Sequence, residues 1–177
     1  MACNTVLNGI TNCDSPSGGV VRILLVAKEH VSDQDIQNGQ VVDITVASPV
    51  AEYTFRQGQA MASTASNIDF GAGTTVFENT LTVHFKNQEV TKRNELMLLA
   101  KAQQELVAFY QLDTGIWFAL GIMEDEKTGA RVSEITSESG QNRADANEYV
   151  LSIAETEAKE LPFVVAEAVI DQLVSGS

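Results

Sequence analysis

The segment that decides the fold is TVFENTLTVHFK, residues 75–86. Large apolar side chains alternate there with polar ones: one side carries Phe77, Leu81, Val83 and Phe85, and the other carries Glu78, Thr80, Thr82, His84 and Lys86. A period of two residues is typical of a β-strand with one buried face and one face in water. The segment therefore predicts a sheet whose polar face stays exposed.

Short β-branched or alternating segments predict further strands on both sides of this one. They lie at residues 20–26, 41–47, 50–57, 116–122, 130–135 and 147–158. We expect residues 116–122 to pair with residues 130–135 across a polar loop. In the last segment Tyr149, Leu151 and Ile153 should share one face.

Two segments have helical periodicity. From about Asn94 to Tyr110, apolar residues recur at a spacing of three and four, which predicts the one long helix. Near the end, residues 162–165 fit a last strand, whereas residues 163–174 also fit a short helix, and both remain open. Because strands do not alternate with helices, the fold class is α+β and predominantly antiparallel, a sandwich or half-barrel with one amphipathic helix.

The remaining segments are polar and contain turn-forming residues. Residues 1–19 predict an N-terminal arm or loop, which leaves residues 20–177 as a single β-rich domain. Residues 58–69 have small side chains and predict an extended loop, and residues 136–146 predict another. Asn38-Gly39 is a strong turn pair.

Composition excludes several classes of function. The chain of 177 residues is 44% hydrophobic and carries a net charge of −13, without a concentrated basic patch. Such a charge repels a polyanion, so we expect neither affinity for nucleic acid through phosphate contacts nor binding to anionic membranes. Cys3 and Cys13 are the two cysteines, and we expect them to be reduced.

The sequence contains no catalytic or metal-binding motif. Its two histidines, His30 and His84, lie in polar surroundings, and neither cysteine has a histidine nearby in sequence. No Gly-x-Ser-x-Gly, Cys-x-x-Cys or His-Glu-x-x-His is present. We therefore expect neither an enzyme nor a cofactor.

The order of elements resembles one known family. A strong strand at 75–86, a helix at 94–110, the segment Gly115-Ile116-Trp117-Phe118-Ala119-Leu120-Gly121, and a strand at 148–155 running into Leu161-Pro162 together look like the tail tube proteins of long-tailed bacteriophages and related contractile injection tubes. The likeness covers roughly residues 70–170.

The resemblance implies a structural role in the virion. Tail tube subunits form hexameric rings whose sheets join into an inner β-barrel, and the rings stack around a tape-measure protein before DNA passes through. It implies assembly with other tail proteins in the host cytoplasm and transient passage of DNA. An acidic lumen would let DNA slide, with Glu78, Glu148, Glu155 and Glu157 as lumen-facing residues. The polar segment with Gly58, Met61 and Asn67 would be an inter-ring loop.

Two alternatives remain open. One is another virion ring or decoration protein, such as a head–tail connector or a tail terminator, because these share a fold class. The other is a small-molecule-binding β-barrel with a pocket near Trp117 and Tyr149.

Overall fold

The computed structural model describes residues 4–7, 10–12, 18–47, 50–122, 129–140, 146–158 and 160–175. The strands are β1 (Asn4–Leu7), β2 (Ile10–Asn12), β3 (Val20–Ala27), β4 (Val31–Gln37), β5 (Gln40–Val46), β6 (Ala51–Thr54), β7 (Ala60–Asp69), β8 (Thr74–Lys86), β9 (Leu106–Leu112), β10 (Trp117–Leu120), β11 (Arg131–Glu138), β12 (Glu148–Ala158) and β13 (Phe163–Val165). The helices are a 3-10 turn at Lys28–His30, α1 (Val90–Ala102) and α2 (Glu167–Ser175). None of the helices in these ranges has the length and hydropathy needed to cross a bilayer.

The strands form two large sheets and one hairpin. A seven-stranded sheet has the order β4-β5-β13-β10-β9-β3-β6, a four-stranded sheet has the order β11-β12-β8-β7, and β1 pairs with β2. Both large sheets are antiparallel except for the parallel pair β13–β5. The prediction of a predominantly antiparallel α+β fold is confirmed. No sheet closes into a barrel within the described ranges.

The seven-stranded sheet is covered on both faces. Its Ile23 and Tyr110 pack with Leu81 and Leu151 of the four-stranded sheet, in a cluster that we call the inner core. Its opposite face, including Phe109, packs against α2 in a second cluster, the helix-side core. Two covered faces explain why the β3 segment is apolar without alternation.

Helix α1 is shorter than predicted, and the residues that follow it form a strand. The helix ends at Ala102, and Leu106–Leu112 is the central strand β9. The apolar residues of β9 pack on both faces of the sheet, so they are consecutive in sequence. Such a run also contains apolar residues at the spacing expected of a helix. Within α1 only Leu96 is buried, and Leu98 is 71% exposed.

The predicted loop at 58–69 is wrong, because Ala60–Asp69 is strand β7. It pairs with β8 in continuous register from Ala60 opposite Val83 to Asp69 opposite Thr74. Beyond the pair Ser66–Phe77 the hairpin is exposed on both faces. Its sequence therefore lacks the alternation that marks a half-buried strand.

Three further predictions are corrected or completed. Residues 116–122 do not pair with 130–135: β10 lies between β9 and β13, whereas β11 pairs with β12. The two proposals for the C-terminal segment are both right in succession, since strand β13 is followed by α2. Of the predicted loop at 136–146, residues 136–138 belong to β11 and 141–145 lie outside the described residues.

The N-terminal arm predicted at 1–19 contains the hairpin of β1 and β2. These two strands pair with each other and with no other strand of the described ranges. Cys3 and Cys13 lie outside the described residues.

Candidate functional site

The four-stranded sheet has a polar face directed away from the inner core, which we call the outer face. The strand registers place these residues on it: Met61, Ser63, Ala65, Asn67, Val76, Glu78, Thr80, Thr82, His84, Lys86, Arg131, Glu134, Thr136, Glu138, Glu148, Val150, Ser152 and Ala154. None of them belongs to either hydrophobic cluster. Small hydroxyl and charged side chains thus cover a broad sheet surface.

Glu148 lies on the outer face, as predicted, but in an ion-pair cluster. Its Oε1 is 3.0 Å from Nδ1 of His84, and its Oε2 accepts a hydrogen bond from the Lys86 ammonium. The pairing Glu148–Lys86 across β12 and β8 brings these groups together. The hydrogen bond from Lys86 lowers the pKa of Glu148, burial opposes this change, and His84 lowers the pKa further. Because Lys86 neutralises it, Glu148 adds little net negative charge to the face.

Glu155 is not on the outer face, and its prediction as an exposed acid is wrong. It pairs with Asn79 on the core side of the sheet and is only 4% exposed. Asn79 Nδ2 donates to Glu155 Oε2 at 3.0 Å, and Asn79 Oδ1 accepts from the Thr64 hydroxyl at 2.8 Å. Glu155 Oε1 has no hydrogen-bond partner in the described part of the chain.

Burial controls the titration of Glu155 and its neighbours. Burial raises the pKa of Glu155, against the opposing effects of Asn79, the Gly121 amide and the Lys28 ammonium. Burial lowers the pKa of Lys28, which the negative charge of Glu155 opposes. Burial, with Glu155 nearby, raises the pKa of Tyr110 to about 12. The sequence signal was present, since Glu155 has the same parity as Leu151 and Ile153.

The other two acids predicted to face the lumen are Glu78 and Glu157. Glu78 is exposed on the outer face, opposite Ala65 of β7. Glu157 belongs to strand β12, and its side chain lies outside the described residues. Glu134 and Glu138, which are not among the predicted acids, lie on the outer face of β11 and are exposed. A β-bulge between Val132 and Glu134 interrupts the alternation that would have identified them.

The predicted inter-ring residues lie at the start and along the length of β7. Gly58 precedes the strand in a turn with φ +83°, which favours glycine. Met61 and Asn67 are exposed on the outer face. The segment is therefore a strand of a projecting hairpin rather than a loop, and its contact with another ring stays a prediction.

Both edges of the four-stranded sheet are open in the described structure, since β7 and β11 each have one neighbour. Strand β11 carries the charged residues Arg131, Glu134 and Glu138, which discourage pairing between two copies of β11 but not pairing with an uncharged strand. Strand β7 carries no charged residue from Ala60 to Ile68. A long, uncharged edge of this kind presents unpaired N–H and C=O groups to another strand.

The pocket predicted near Trp117 and Tyr149 does not form. Trp117 belongs to the helix-side core, beneath the Arg22 guanidinium, whereas Tyr149 packs on the inner core. They therefore do not share a pocket, and the barrel alternative loses its proposed site. No group of three His, Cys, Asp or Glu side chains within the described ranges could hold a metal.

Comparison of the chain with family models, with curated proteins and with solved structures finds no match. The candidate site is accordingly described by its own geometry, an outer sheet face between two open strand edges.

Proposed function

We propose that the chain is a tail tube subunit of a long-tailed bacteriophage or a related injection tube, which assembles as stacked hexameric rings around a conduit for DNA. The observation that carries the proposal is the four-stranded sheet. It has one apolar face on the inner core, one polar face in solvent and an open edge on each side.

An open sheet of this kind can be one segment of a larger barrel. Pairing of β7 from one copy with β11 of the next would satisfy both rows of unpaired backbone groups. The same contact repeated around a closed ring leaves neither β7 nor β11 as a free edge, because the interface is heterologous and cyclic. The polar outer face would then line the channel.

The electrostatics of the outer face fit a surface past which DNA moves. The exposed acids of this face are Glu78, Glu134 and Glu138. They differ from the acids predicted from sequence to face the lumen, because Glu155 is buried and Glu148 is paired with Lys86. Threonine and serine occupy five further positions. The lysine and the arginine of the face, Lys86 and Arg131, are paired with Glu148 and Glu105. Such a wall gives DNA phosphates no strong unpaired counter-charge.

The experiment that tests the proposal breaks the β7 edge without disturbing the hairpin. His84 N–H donates to Gln59 O, so Gln59–His84 is a hydrogen-bonded pair. Because such pairs alternate along antiparallel strands, the N–H of Ser66 points away from β8 toward the free edge. Ser66→Pro removes that donor, and proline is tolerated at an edge. Ser66→Ala keeps the donor and is the matched control.

Purified wild-type protein and Ser66→Ala should form long tubes in negative-stain electron microscopy. Ser66→Pro should remain soluble and unassembled with an unchanged circular dichroism spectrum. Closed single rings from the wild type would favour the connector or terminator alternative. A wild type that stays monomeric at high concentration, or tubes formed equally by Ser66→Pro, would contradict the proposal.

A further inference from the structure

The hairpin of β7 and β8 extends beyond the body of the domain and ends in an exposed aromatic ring. Three residue pairs, from Asn67–Val76 to Asp69–Thr74, lie beyond Phe77, the last β8 residue that pairs with β12, which corresponds to about 10 Å of strand. Phe70 at the tip is 93% exposed. Ile68 and Val76 are exposed below it.

The tip has a defined conformation. The Asp69 carboxylate accepts hydrogen bonds from the backbone N–H groups of Gly71 at 2.8 Å and Ala72 at 3.1 Å. This Asx-type turn fixes the backbone next to Phe70. The aromatic ring is thus presented to solvent by an ordered turn, which lowers the entropy lost when the ring is buried.

The same chain contains an apolar hollow of matching size. It has a volume of about 160 Å³ and lies between α1 and the two sheets. Its lining residues are Leu25, Tyr53, Phe85, Lys92, Glu95, Leu96, Leu99 and Leu151. Glu95 is exposed and marks its solvent side. An apolar cavity of about 150 Å³ is large enough for a benzene ring.

We infer that the Phe70 ring of one copy inserts into the hollow beside α1 of a second copy. The phenyl group matches the hollow in size and in chemistry, and burial there would remove apolar surface from water on both sides. The hollow also explains the weak packing of α1, whose contact with the core is supplied by Leu96 and the half-buried Leu99. A ring inserted beside these residues would give the helix the contacts that it lacks within its own chain.

The occupant is a second copy because Phe70 cannot reach the hollow of its own chain. Strand β8 separates the tip at Thr74 from Phe85 in the hollow by eleven residues, about 36 Å of strand. Such a contact is heterologous, so it repeats from copy to copy and produces a ring or an open stack. The inference rests on the proposed self-assembly and adds to it the residues that connect successive copies.

Cross-linking tests this contact directly. In a background with Cys3 and Cys13 replaced by serine, one chain carries Ala72→Cys, which lies in the exposed tip turn and keeps the Phe70 ring, and a second carries Glu95→Cys. The two chains are mixed under assembly conditions and treated with a short bis-maleimide. A chain with Glu167→Cys, exposed on α2 beyond the opposite face of the seven-stranded sheet, is the matched control.

The expected result is a covalent dimer of the Ala72→Cys and Glu95→Cys chains, at least tenfold more abundant than with the Glu167→Cys control. Equal cross-linking to both positions, or tubes without the product that joins positions 72 and 95, would overturn the contact while leaving the tube proposal intact. A chain that stays monomeric at every concentration would overturn both.

A measurement without introduced cysteines supports the same distinction. Phe70→Ala should raise the protein concentration needed for assembly at least tenfold, whereas Ile116→Ala, which removes another exposed apolar side chain, should change it less than twofold. Leu99→Phe fills the hollow from within and should act like Phe70→Ala. An unchanged assembly threshold in Phe70→Ala would overturn the inference.

Discussion

The two large sheets of this protein differ in how much of their surface the chain itself covers. The seven-stranded sheet buries both faces, one against the four-stranded sheet and the other against α2. The four-stranded sheet buries one face and leaves the other to solvent. In the described structure both sheets end in strands with one neighbour, but β4, β6 and β11 are charged, whereas β7 is ten residues long and uncharged before Asp69. The edge at β7 therefore has the greatest capacity to pair with another chain.

The contrast is sharpest between the centre of the larger sheet and the tip of the smaller one. Phe109 in β9 is fully buried, whereas Phe70 at the hairpin tip is almost fully exposed. Stability and assembly should therefore depend on different residues of the same type. This separation allows variants that change one property and leave the other unaffected.

The largest expected effect comes from truncating Phe109. Phe109→Ala leaves a cavity in the helix-side core and should lower the free energy of unfolding by about 3–5 kcal/mol. Phe70→Ala, the matched control, should change it by less than about 0.5 kcal/mol. Urea unfolding followed by the fluorescence of Trp117, the single tryptophan, measures both.

If Phe109→Ala fails to fold, Phe109→Leu should still fold and lose about 1–1.5 kcal/mol. An equal decrease in the free energy of unfolding in Phe70→Ala and Phe109→Ala would show that the hairpin tip packs against the domain in the isolated chain.

The same contrast explains which parts of the fold could be predicted from sequence. Strands β8 and β12 were found because one face meets the core and the other meets water, so their sequences alternate. Strand β9 was mistaken for part of a helix because it is buried on both faces. Strand β7 was mistaken for a loop because it is exposed on both faces over most of its length. Alternation reports a difference between two faces, and it is lost when the faces are alike.

The candidate site, like the fold, could be predicted from the sequence only in part. The outer face of β8 follows from its period, and Glu78 lies where the sequence placed it. The partners of that strand do not follow, because pairing depends on contacts between distant segments. Glu134 and Glu138 reach the outer face only through the β11–β12 pairing. The ion pair between Glu148 and Lys86 likewise follows from the β12–β8 register.

A smaller effect compares the two faces of one strand through Glu148 and Glu155. The pKa of Glu148 is lowered in the folded protein, chiefly by the hydrogen bond from Lys86. Its contribution to stability is therefore present above the ordinary glutamate pKa of about 4.3 and is lost as the pH falls. Glu148→Gln should cost about 1 kcal/mol at pH 7 and less at pH 4, measured by urea unfolding at each pH.

Glu155 should show the opposite pH dependence. Its pKa is raised by burial, so the folded protein binds a proton that the unfolded chain has released, and wild-type stability falls as the pH rises past the unfolded value. Stability of Glu155→Gln relative to the wild type should consequently increase from pH 4 to pH 8. If both variants show the same sign of slope, the two carboxylates do not lie on opposite faces of β12.

The smallest effect on stability should accompany a change in how assembled tubes treat DNA. Replacing Glu78, Glu134 and Glu138 together by lysine alters exposed side chains, so we expect less than about 0.5 kcal/mol per site. Wild-type tubes sedimented with DNA fragments should leave the DNA in solution, and the triple variant should carry it into the pellet at low salt, with retention falling steeply as salt rises.

A second triple variant, with Glu29, Asp33 and Asp35 changed to lysine, alters the net charge equally at positions that are not on the outer face. That variant can bind DNA on the outside of a tube, where added nuclease digests it, whereas DNA held by the outer-face variant should be protected within the lumen. Equal nuclease sensitivity in the two variants would place the outer face outside the channel, and the acidic wall would then have no bearing on DNA passage.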